Sequence, residues 1–250
     1  DPRWVCERVH AAGGVVYHDV TEARWARKGA DGGVDGLIAV NASAGGHAGT
    51  RTAEALRDEL LPFGLPLLLK GINLGNWLVP EGYMFEFETA KSPRAIYAAV
   101  ERLLGRDQAF EFWHQFHENF VRRKDLELIA AAGFNTVRVP LHYDMFAADG
   151  GDRAASAGWA LLDRLVDWCE AVGLYVVLDM HAAPGGQTGA NHDDGTGYAL
   201  LFHVPALQEE TAAVWRAIAA RYRNRPAILG YDLLNEPISS FSNVRYLNPK

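Results

Sequence analysis

Short apolar runs of strand length recur along the 250-residue chain, and polar or amphipathic stretches separate them. They predict strands over 14–20, 34–41, 67–72, 134–140, 175–181 and 228–235. Strands that alternate with helices are typical of βα units in a parallel sheet, so the pattern predicts an α/β fold of the (β/α)8 TIM-barrel type. Six such units are visible, whereas a closed barrel needs about eight, which indicates an incomplete barrel.

Helical spacing of apolar residues fills the gaps between the predicted strands. The clearest helix covers 159–172, where one apolar stripe runs along Leu161, Leu162, Leu165, Val166 and Cys169. The other predicted helices cover 1–12, 21–32, 53–61 and 205–222. Thr21 is the expected N-cap of the second of these. Ser92 and Pro93 begin a helical stretch to about residue 132 that is long for one crossover, so we expect two or three helices there.

Charge and composition exclude several classes of function. The chain has 24 Lys and Arg against 31 Asp and Glu, a net charge of −7, and no basic tract, so binding to nucleic acid or to an anionic membrane has no electrostatic support. No apolar run approaches the roughly 18 residues of a membrane span. Asp1-Pro2-Arg3 does not begin a signal peptide, and localisation stays open.

Cysteine usage points away from a metal or disulfide scaffold. Cys6 and Cys169 both lie in helical apolar patterns, so neither a disulfide framework nor a zinc site is indicated. The glycine-rich loops and seven Trp suit a site for a sugar or another small molecule better.

Polar side chains interrupt three apolar runs close to the ends of the predicted strands. Arg138 occurs in NTVRVP, His181 ends LDMH, and Glu236 follows the apolar run in LLNEP. Each has a structural alternative: Arg138 could neutralise Asp144 or Asp179, and His181 could be a buried core histidine. Because the carboxyl ends of barrel strands converge on one mouth, the coincidence of all three favours a catalytic site.

Four segments after residue 65 together resemble the family-5 glycoside hydrolases, in particular their exo-β-1,3-glucanase-like branch. They are GINLGNWLVPEG (Gly71–Gly82), NTVRVPLHY (Asn135–Tyr143), LDMHAAPGGQ (Leu178–Gln187) and GYDLLNEP (Gly230–Pro237). Their order and spacing also agree, and the resemblance covers about residues 65–250. It implies a glycosidase that acts on β-glucans or β-glucosides and needs no cofactor or metal.

The resemblance also implies individual roles. Glu236 would be the acid/base, Asn235 would hold the sugar 2-hydroxyl, and Arg138 and His181 would support the catalytic carboxylates. Further residues are implied in the sugar pocket or at its rim: Glu81, Tyr143, Gln187 and Asn191.

Aromatic residues in the loop after residue 76 are candidates for stacking on sugar faces, and they are Trp77, Tyr83, Phe85 and Phe87. For Phe85 and Phe87, packing within the loop is at least as good an interpretation.

A retaining glycosidase uses two carboxyl groups about 5–5.5 Å apart, one protonated and one ionised. Glu236 would supply the proton. The nucleophilic Glu that the family carries on its seventh strand has no counterpart here, since residues 238–250 contain no Asp or Glu. We therefore expect this chain, by itself, to hydrolyse β-glucosides poorly or not at all.

The first 61 residues resemble a different family, the FMN-dependent nitronate monooxygenases. The specific part is AGGHAG, Ala44–Gly49. The resemblance implies that the backbone of Gly45 and Gly46 approaches FMN and that His47 is a base. The alternative is a strand-to-helix turn with an exposed histidine.

The two resemblances predict a chimeric chain, with domains over 1–64 and 65–250 and with open sheet edges that could promote self-association. They leave three hypotheses: a glycosidase, a flavin oxidoreductase, and a catalytically silent sugar-binding fragment.

Overall fold

The computed structural model describes residues 2–42, 49–63, 69–146 and 153–237. The chain folds as two compact units, Asp1–Ile72 and Asn73–Lys250. In both units the described strands alternate with helices, which confirms the predicted α/β class.

The first unit contains a parallel two-stranded sheet, with Tyr17 opposite Gly36 and Val20 opposite Ala39. Its elements are α1 (Pro2–Ala11), β1 (Tyr17–Val20), α2 (Ala23–Asp31), β2 (Gly36–Ala39), α3 (Ala53–Leu60) and a 3₁₀ turn (Leu61–Phe63).

The core of the first unit is small. Val20, Ala26 and Leu37 are buried together, and the partly buried side chains packed against them are Val34, Leu60 and Phe63. Such a core removes little apolar surface from water, so we expect a modest stabilisation.

The predicted N-cap of α2 is wrong. The helix begins at Ala23, and Glu22 occupies the cap position without a side-chain cap bond. Because Glu22 is extended, with φ −163° and ψ 162°, Thr21 lies one residue too early to reach the N–H groups of the first turn. In α3, by contrast, the Thr52 side chain caps the helix by accepting from Ala55 N.

The second unit is built on a sheet of order β3-β4-β5-β6, in which β4, β5 and β6 are parallel. Its strands are β3 (Gly71–Asn73, at the boundary between the units), β4 (Thr136–His142), β5 (Tyr175–Ala182) and β6 (Ile228–Asp232). Its helices are α4 (Pro93–Leu104), α5 (Arg106–Phe120), α6 (Arg123–Ala131), α7 (Arg153–Val172) and α8 (Pro205–Tyr222). Short 3₁₀ turns cover Tyr143–Met145 and Leu200–Phe202.

Two or three helices were expected after Ser92, and the structure has three, α4, α5 and α6; the Ser92 side chain accepts from Ala95 N to cap α4. Two strand boundaries differ from the prediction. β6 ends at Asp232 instead of residue 235, although Asn235 N still donates to Met180 O at 3.0 Å. The third strand was expected over 67–72, but the described strand is Gly71–Asn73, and residues 64–68 lie outside the described part.

Alternation along the central strands separates an apolar face from a polar one. Val137, Val139 and Leu141 of β4 pair with Val176, Leu178 and Met180 of β5, and all six are fully buried. The predicted stripe of α7 is buried in the same core, which confirms that helix. Residues at the intervening positions point to the opposite face, among them Arg138 and Asp179.

Cys6 and Cys169 are both buried free thiols, each within a helix. Among the described helices, none combines the length and apolar character that crossing a membrane requires. The same residues contain no group of three or more His, Cys, Asp or Glu side chains arranged to hold a metal ion.

Candidate active site

Arg138 is the centre of a charge network on the polar face of the sheet. Its Nη1 lies 3.0 Å from Asp179 Oδ2, and its Nη2 lies 2.7 Å from Asp232 Oδ2. The strand register explains this arrangement, because Asp179 of β5 is directly opposite Asp232 of β6. Of the two carboxylates considered from the sequence, Arg138 therefore neutralises Asp179, and it also binds Asp232.

Asn235 is tied to the same network. Its Oδ1 accepts from Arg138 Nη2 at 3.0 Å, and its backbone N–H donates to Met180 O. The side chain is buried. Asn235 therefore continues alongside β5 after β6 has ended, and its side-chain amide faces the guanidinium.

His181 is buried at the carboxyl end of β5. Its Nδ1 lies 2.7 Å from Asp179 Oδ2, and because a carboxylate only accepts hydrogen bonds, this nitrogen carries the proton. The opposite nitrogen, Nε2, lies 3.9 Å from Glu81 Oε1 and 3.5 Å from Asn235 Nδ2. Asp179 thus orients both the imidazole and the guanidinium.

Glu81 lies in the loop after β3, and its side chain is 12% exposed. Burial raises the pKa of Glu81 above its usual value, and the negative charges of Glu236 and Asp179 act in the same direction. His181 and His192 oppose this rise without cancelling it. The site therefore favours a protonated Glu81 more than water does.

Glu236 follows Asn235 with an exposed side chain and a φ of 45°. This left-handed conformation costs a non-glycine residue roughly 1–3 kcal/mol and is concentrated at functional sites. The carboxylate is close enough to Glu81 to raise its pKa, so these two predicted site residues are brought together.

Gln187 was expected at the rim of the pocket, but the structure buries it completely. Its Nε2 donates to His181 O at 2.8 Å and to Asn235 O at 3.0 Å, and its Oε1 accepts from Ala183 N at 3.1 Å. The Gln187 side chain thus connects the backbone at the end of β5 to the backbone of Asn235, and its polar groups are not available to a sugar.

Trp77 is likewise placed differently from the expectation. It is 1% exposed, and its indole N–H donates to His117 O at 2.9 Å, so both ring faces are taken by the core. Phe85 packs on Phe87 at 5.3 Å between ring centroids, consistent with the packing interpretation. Tyr83, at 71% exposure, keeps its ring available to a sugar.

The remaining pocket candidates lie at the edges of the network. Tyr143 is half-buried and stacks on His142 at 5.1 Å between ring centroids, and burial together with Asp144 raises the pKa of its phenol. Asn191 is exposed in the loop after β5. The candidate flavin residues Gly45, Gly46 and His47 lie outside the described residues.

Two aspartates of the loop after β5 were missed from the sequence. Asp193 is buried and organises the loop, since its carboxylate accepts from the N–H groups of Thr188, Gly189 and Gly195. Asp194 binds Arg94 at the start of α4 through the Arg94 N–H (3.0 Å) and guanidinium. In a loop rich in Gly, Asp and Asn, the sequence does not show which acids turn inward.

Asp179 and Asp232 were also missing from the candidate site. A signal for both was present, since each is a charge inside an otherwise apolar strand. A charge at such a position needs a partner, and Arg138, two residues before the β4 position that pairs with Asp179, supplies it.

A protein-family model described as Cellulase (glycosyl hydrolase family 5) matches residues 105–248. Among curated proteins, the chain is 32% identical over 180 residues to a β-xylosidase of Phanerodontia chrysosporium, a match that covers 71% of this chain and 37% of that protein. It is 29% identical over 178 residues to a glucan 1,3-β-glucosidase of Pichia angusta, with 68% and 41% covered. The chain thus spans about two fifths of the length of these relatives.

Among solved structures, the rutinosidase from Aspergillus niger is similar with a TM-score of 0.57 and 20% sequence identity, over 67% of this chain and 48% of that one. At this identity the likeness concerns the fold alone. Together with the family match, it confirms the predicted (β/α)8 barrel class, of which the described strands form a part.

Proposed function

Because the chain belongs to the cellulase family, glycoside hydrolase family 5, we propose that it carries the acid/base part of a retaining glycosidase that cleaves β-glucosidic bonds in glucans or oligosaccharides. The observation that supports this most directly is the Asn235-Glu236 turn at the carboxyl end of β6, beside the network of Arg138, Asp179 and His181. The glucan 1,3-β-glucosidases among the relatives support the substrate class.

In this proposal Glu236 donates its proton to the glycosidic oxygen as the bond from that oxygen to the anomeric carbon breaks. A second carboxylate attacks the anomeric carbon and forms a glycosyl-enzyme ester. Glu236 then takes a proton from water, whose oxygen displaces the ester and restores the original configuration. Asn235 holds the sugar 2-hydroxyl, while Arg138 and His181 fix the surrounding carboxylates.

None of the neighbouring described carboxylates suits the nucleophile's role. Asp179 is fully buried, Asp232 is bonded to the Arg138 guanidinium, and burial raises the pKa of Glu81, which disfavours its ionised form relative to water. We therefore propose that this chain by itself releases sugar slowly.

Replacing Glu236 with Gln tests the assignment. We expect hydrolysis of 4-nitrophenyl β-glucoside to fall by about 10²–10⁴-fold, because a general acid contributes a factor of this size. The loss should be much smaller with the 2,4-dinitrophenyl glucoside, whose phenolate leaves without protonation. Retention would appear as β-glucose formed first in a proton NMR time course.

Glu209→Gln, an exposed change on α8, is the matched control and should leave both rates unchanged. Equal effects of the two variants would overturn the role of Glu236. If neither substrate is turned over while laminaribiose raises the melting temperature, the chain is a sugar-binding fragment instead.

The flavin alternative stays a prediction, because its candidate residues lie outside the described part of the chain. Purified protein that shows no flavin absorbance, even after incubation with FMN, would remove it. Self-association through sheet edges is likewise untested, and size-exclusion chromatography would measure it directly.

A further inference from the structure

We propose that Gln187 is a positioning residue that sets the backbone conformation of Glu236 and hence the direction of its carboxyl group. The geometric part of this proposal is independent of any activity. Its consequence for catalysis rests on the proposed function of Glu236.

The hydrogen-bonding groups of the Gln187 side chain are all satisfied by backbone groups. A primary amide has two N–H donors, and Gln187 uses them on His181 O at 2.8 Å and Asn235 O at 3.0 Å. Its carbonyl oxygen accepts from Ala183 N at 3.1 Å. Since Gln187 is fully buried, water cannot replace these bonds, and losing them would leave buried carbonyl groups without a donor.

Asn235 O, which accepts one of these bonds, lies in the peptide group directly before Glu236. The Asn235 carbonyl and the Glu236 N–H belong to one planar peptide group, so a bond to the carbonyl fixes the orientation of that plane. The Asn235 N–H, which donates to Met180 O, holds the preceding peptide group to β5. The φ angle of Glu236 is the rotation that begins at this anchored plane.

The backbone of Glu236 is strained. At φ 45°, Glu236 occupies a left-handed conformation that is strained for a residue other than glycine and persists only where the surroundings over-determine it. Gln187 is a fully buried side chain, and it donates to the carbonyl of the peptide group that defines this angle. Its removal should let the backbone relax toward negative φ.

The chain is shaped to bring Gln187 to this point. Gly185 and Gly186 follow β5 with φ values of 76° and 75°, which reverse the chain direction so that Gln187 returns beside His181. A side chain at Gly185 would meet Leu207 and Leu200. A glutamine is needed because an ionised Glu of the same length would face two carbonyl oxygens with no proton to give.

The test is the three-bond coupling between the amide and α protons of Glu236, which reports φ. Protein labelled with ¹⁵N-glutamate supplies the signal, and the resonance that Glu236→Gln removes identifies it. We expect Gln187→Met, which keeps the size but loses all three bonds, to shift this coupling away from the wild-type value.

Thr136→Val is the matched control. Thr136 is also buried and hydrogen-bonded, but it lies at the opposite end of β4, so this variant should lose stability without moving the coupling. An unchanged coupling in Gln187→Met would overturn the proposal. If that variant does not fold, Gln187→Asn, whose shorter arm cannot reach both carbonyls, is measured with the same expected shift and the same contrary result.

Activity provides a second readout. Gln187→Met should lower kcat/KM for the 4-nitrophenyl glucoside by about 10–100-fold, the size of loss that a misplaced catalytic group produces, with a smaller loss for the 2,4-dinitrophenyl substrate. If Glu236→Gln shows this leaving-group pattern and Gln187→Met does not, the catalytic part of the inference fails. If Glu236→Gln shows no such pattern, the proposed function fails, whereas the coupling still decides the geometry.

Discussion

The two sheets of the molecule share the parallel βα pattern, but the hydrophobic cores packed against them differ greatly in size. In the first unit, β1 and β2 rest on a core of three buried side chains, and the unit's ion pairs lie near the surface. In the second unit, β4 and β5 are covered by a continuous core that includes the stripe of α7 and residues of α8. In this second sheet the charged side chains of neighbouring strands contact one another, since Arg138 of β4 binds Asp179 of β5 and Asp232 of β6.

This difference shows what an arginine–carboxylate network inside a sheet requires. Asp179 has no exposed surface, so water cannot solvate its carboxylate, and Arg138 and His181 bind it instead. Only a rigid frame keeps such partners within hydrogen-bond distance at all times. The first unit also has an arginine between two carboxylates, since Arg51 pairs with Glu59 and Glu22, but each of these side chains keeps about a quarter or more of its surface exposed, so water can replace the pairs.

Breaking the central cation in each unit should show the largest contrast. Arg138→Met leaves Asp179 buried without its cation, and we expect a loss of about 3–5 kcal/mol in the free energy of unfolding. Arg51→Met removes the partner of Glu59 and Glu22 in the first unit, where both sides of the pair are about one-third exposed, and should cost less than about 1 kcal/mol. Urea denaturation followed by far-UV circular dichroism measures both.

Arg138→Lys sharpens the result, because a lysine keeps the charge but lacks the fork that reaches Asp179 and Asp232 together. We expect it to recover part of the loss. Equal destabilisation by Arg138→Met and Arg51→Met would remove the distinction between the two units.

Asp194 in the second unit and Asp35 in the first should differ by an intermediate amount in the stability lost when each is replaced by asparagine. Burial alone would raise the pKa of Asp194, but the nearby His142, 3.7 Å away, and the hydrogen bond from the Arg94 N–H outweigh it and lower the pKa. The stabilisation from ionised Asp194 is therefore complete above the ordinary aspartate range near pH ~4 and is lost as the pH falls through the lowered value. We expect Asp194→Asn to cost about 1–3 kcal/mol at pH 7 and progressively less in acid.

Asp35 of the first unit is the matched control. The Val16 N–H and then His10 lower its pKa in the same way, but its side chain is 36% exposed. Asp35→Asn should therefore cost less than about 1 kcal/mol at pH 7. Thermal melts of both variants across the acid range measure the two profiles, and a larger loss for Asp35→Asn would contradict the proposed difference in burial.

The sequence predicted most of the second sheet because its signals were local. β4 and β5 are mostly apolar runs of strand length, and the stripe of α7 repeats at helical spacing, so each element was visible without its neighbours. The end of β6 was placed three residues too late, because Leu233 and Leu234 extend the apolar run after pairing has stopped.

The sequence predicted which residues form the site, but it did not predict which of them are buried. Arg138, His181 and Asn235 were found from their places near strand ends, and the structure brings them together. Whether a side chain faces the solvent or the interior depends on the path of a loop. Gln187 and Trp77 were therefore expected at a sugar and were found buried, with their N–H groups bonded to backbone carbonyls.

The smallest predicted effect is the change in stability when a glutamate becomes glutamine, and we expect opposite signs at Glu81 in the second unit and Glu59 in the first. Because burial raises the pKa of Glu81, its ionisation opposes folding, and this cost appears as the pH rises from about 4 through the raised value. Glu81→Gln removes the cost, so we expect a gain of about 0.5–1 kcal/mol at pH 7 and none in acid, together with weaker sugar binding. Glu59→Gln in the first unit loses its ion pair with Arg51 and should instead be slightly destabilising at pH 7. Urea titrations at pH 4 and pH 7 measure both variants. A loss of stability in Glu81→Gln at pH 7 would contradict the prediction and show that the Glu81 carboxylate stabilises the fold.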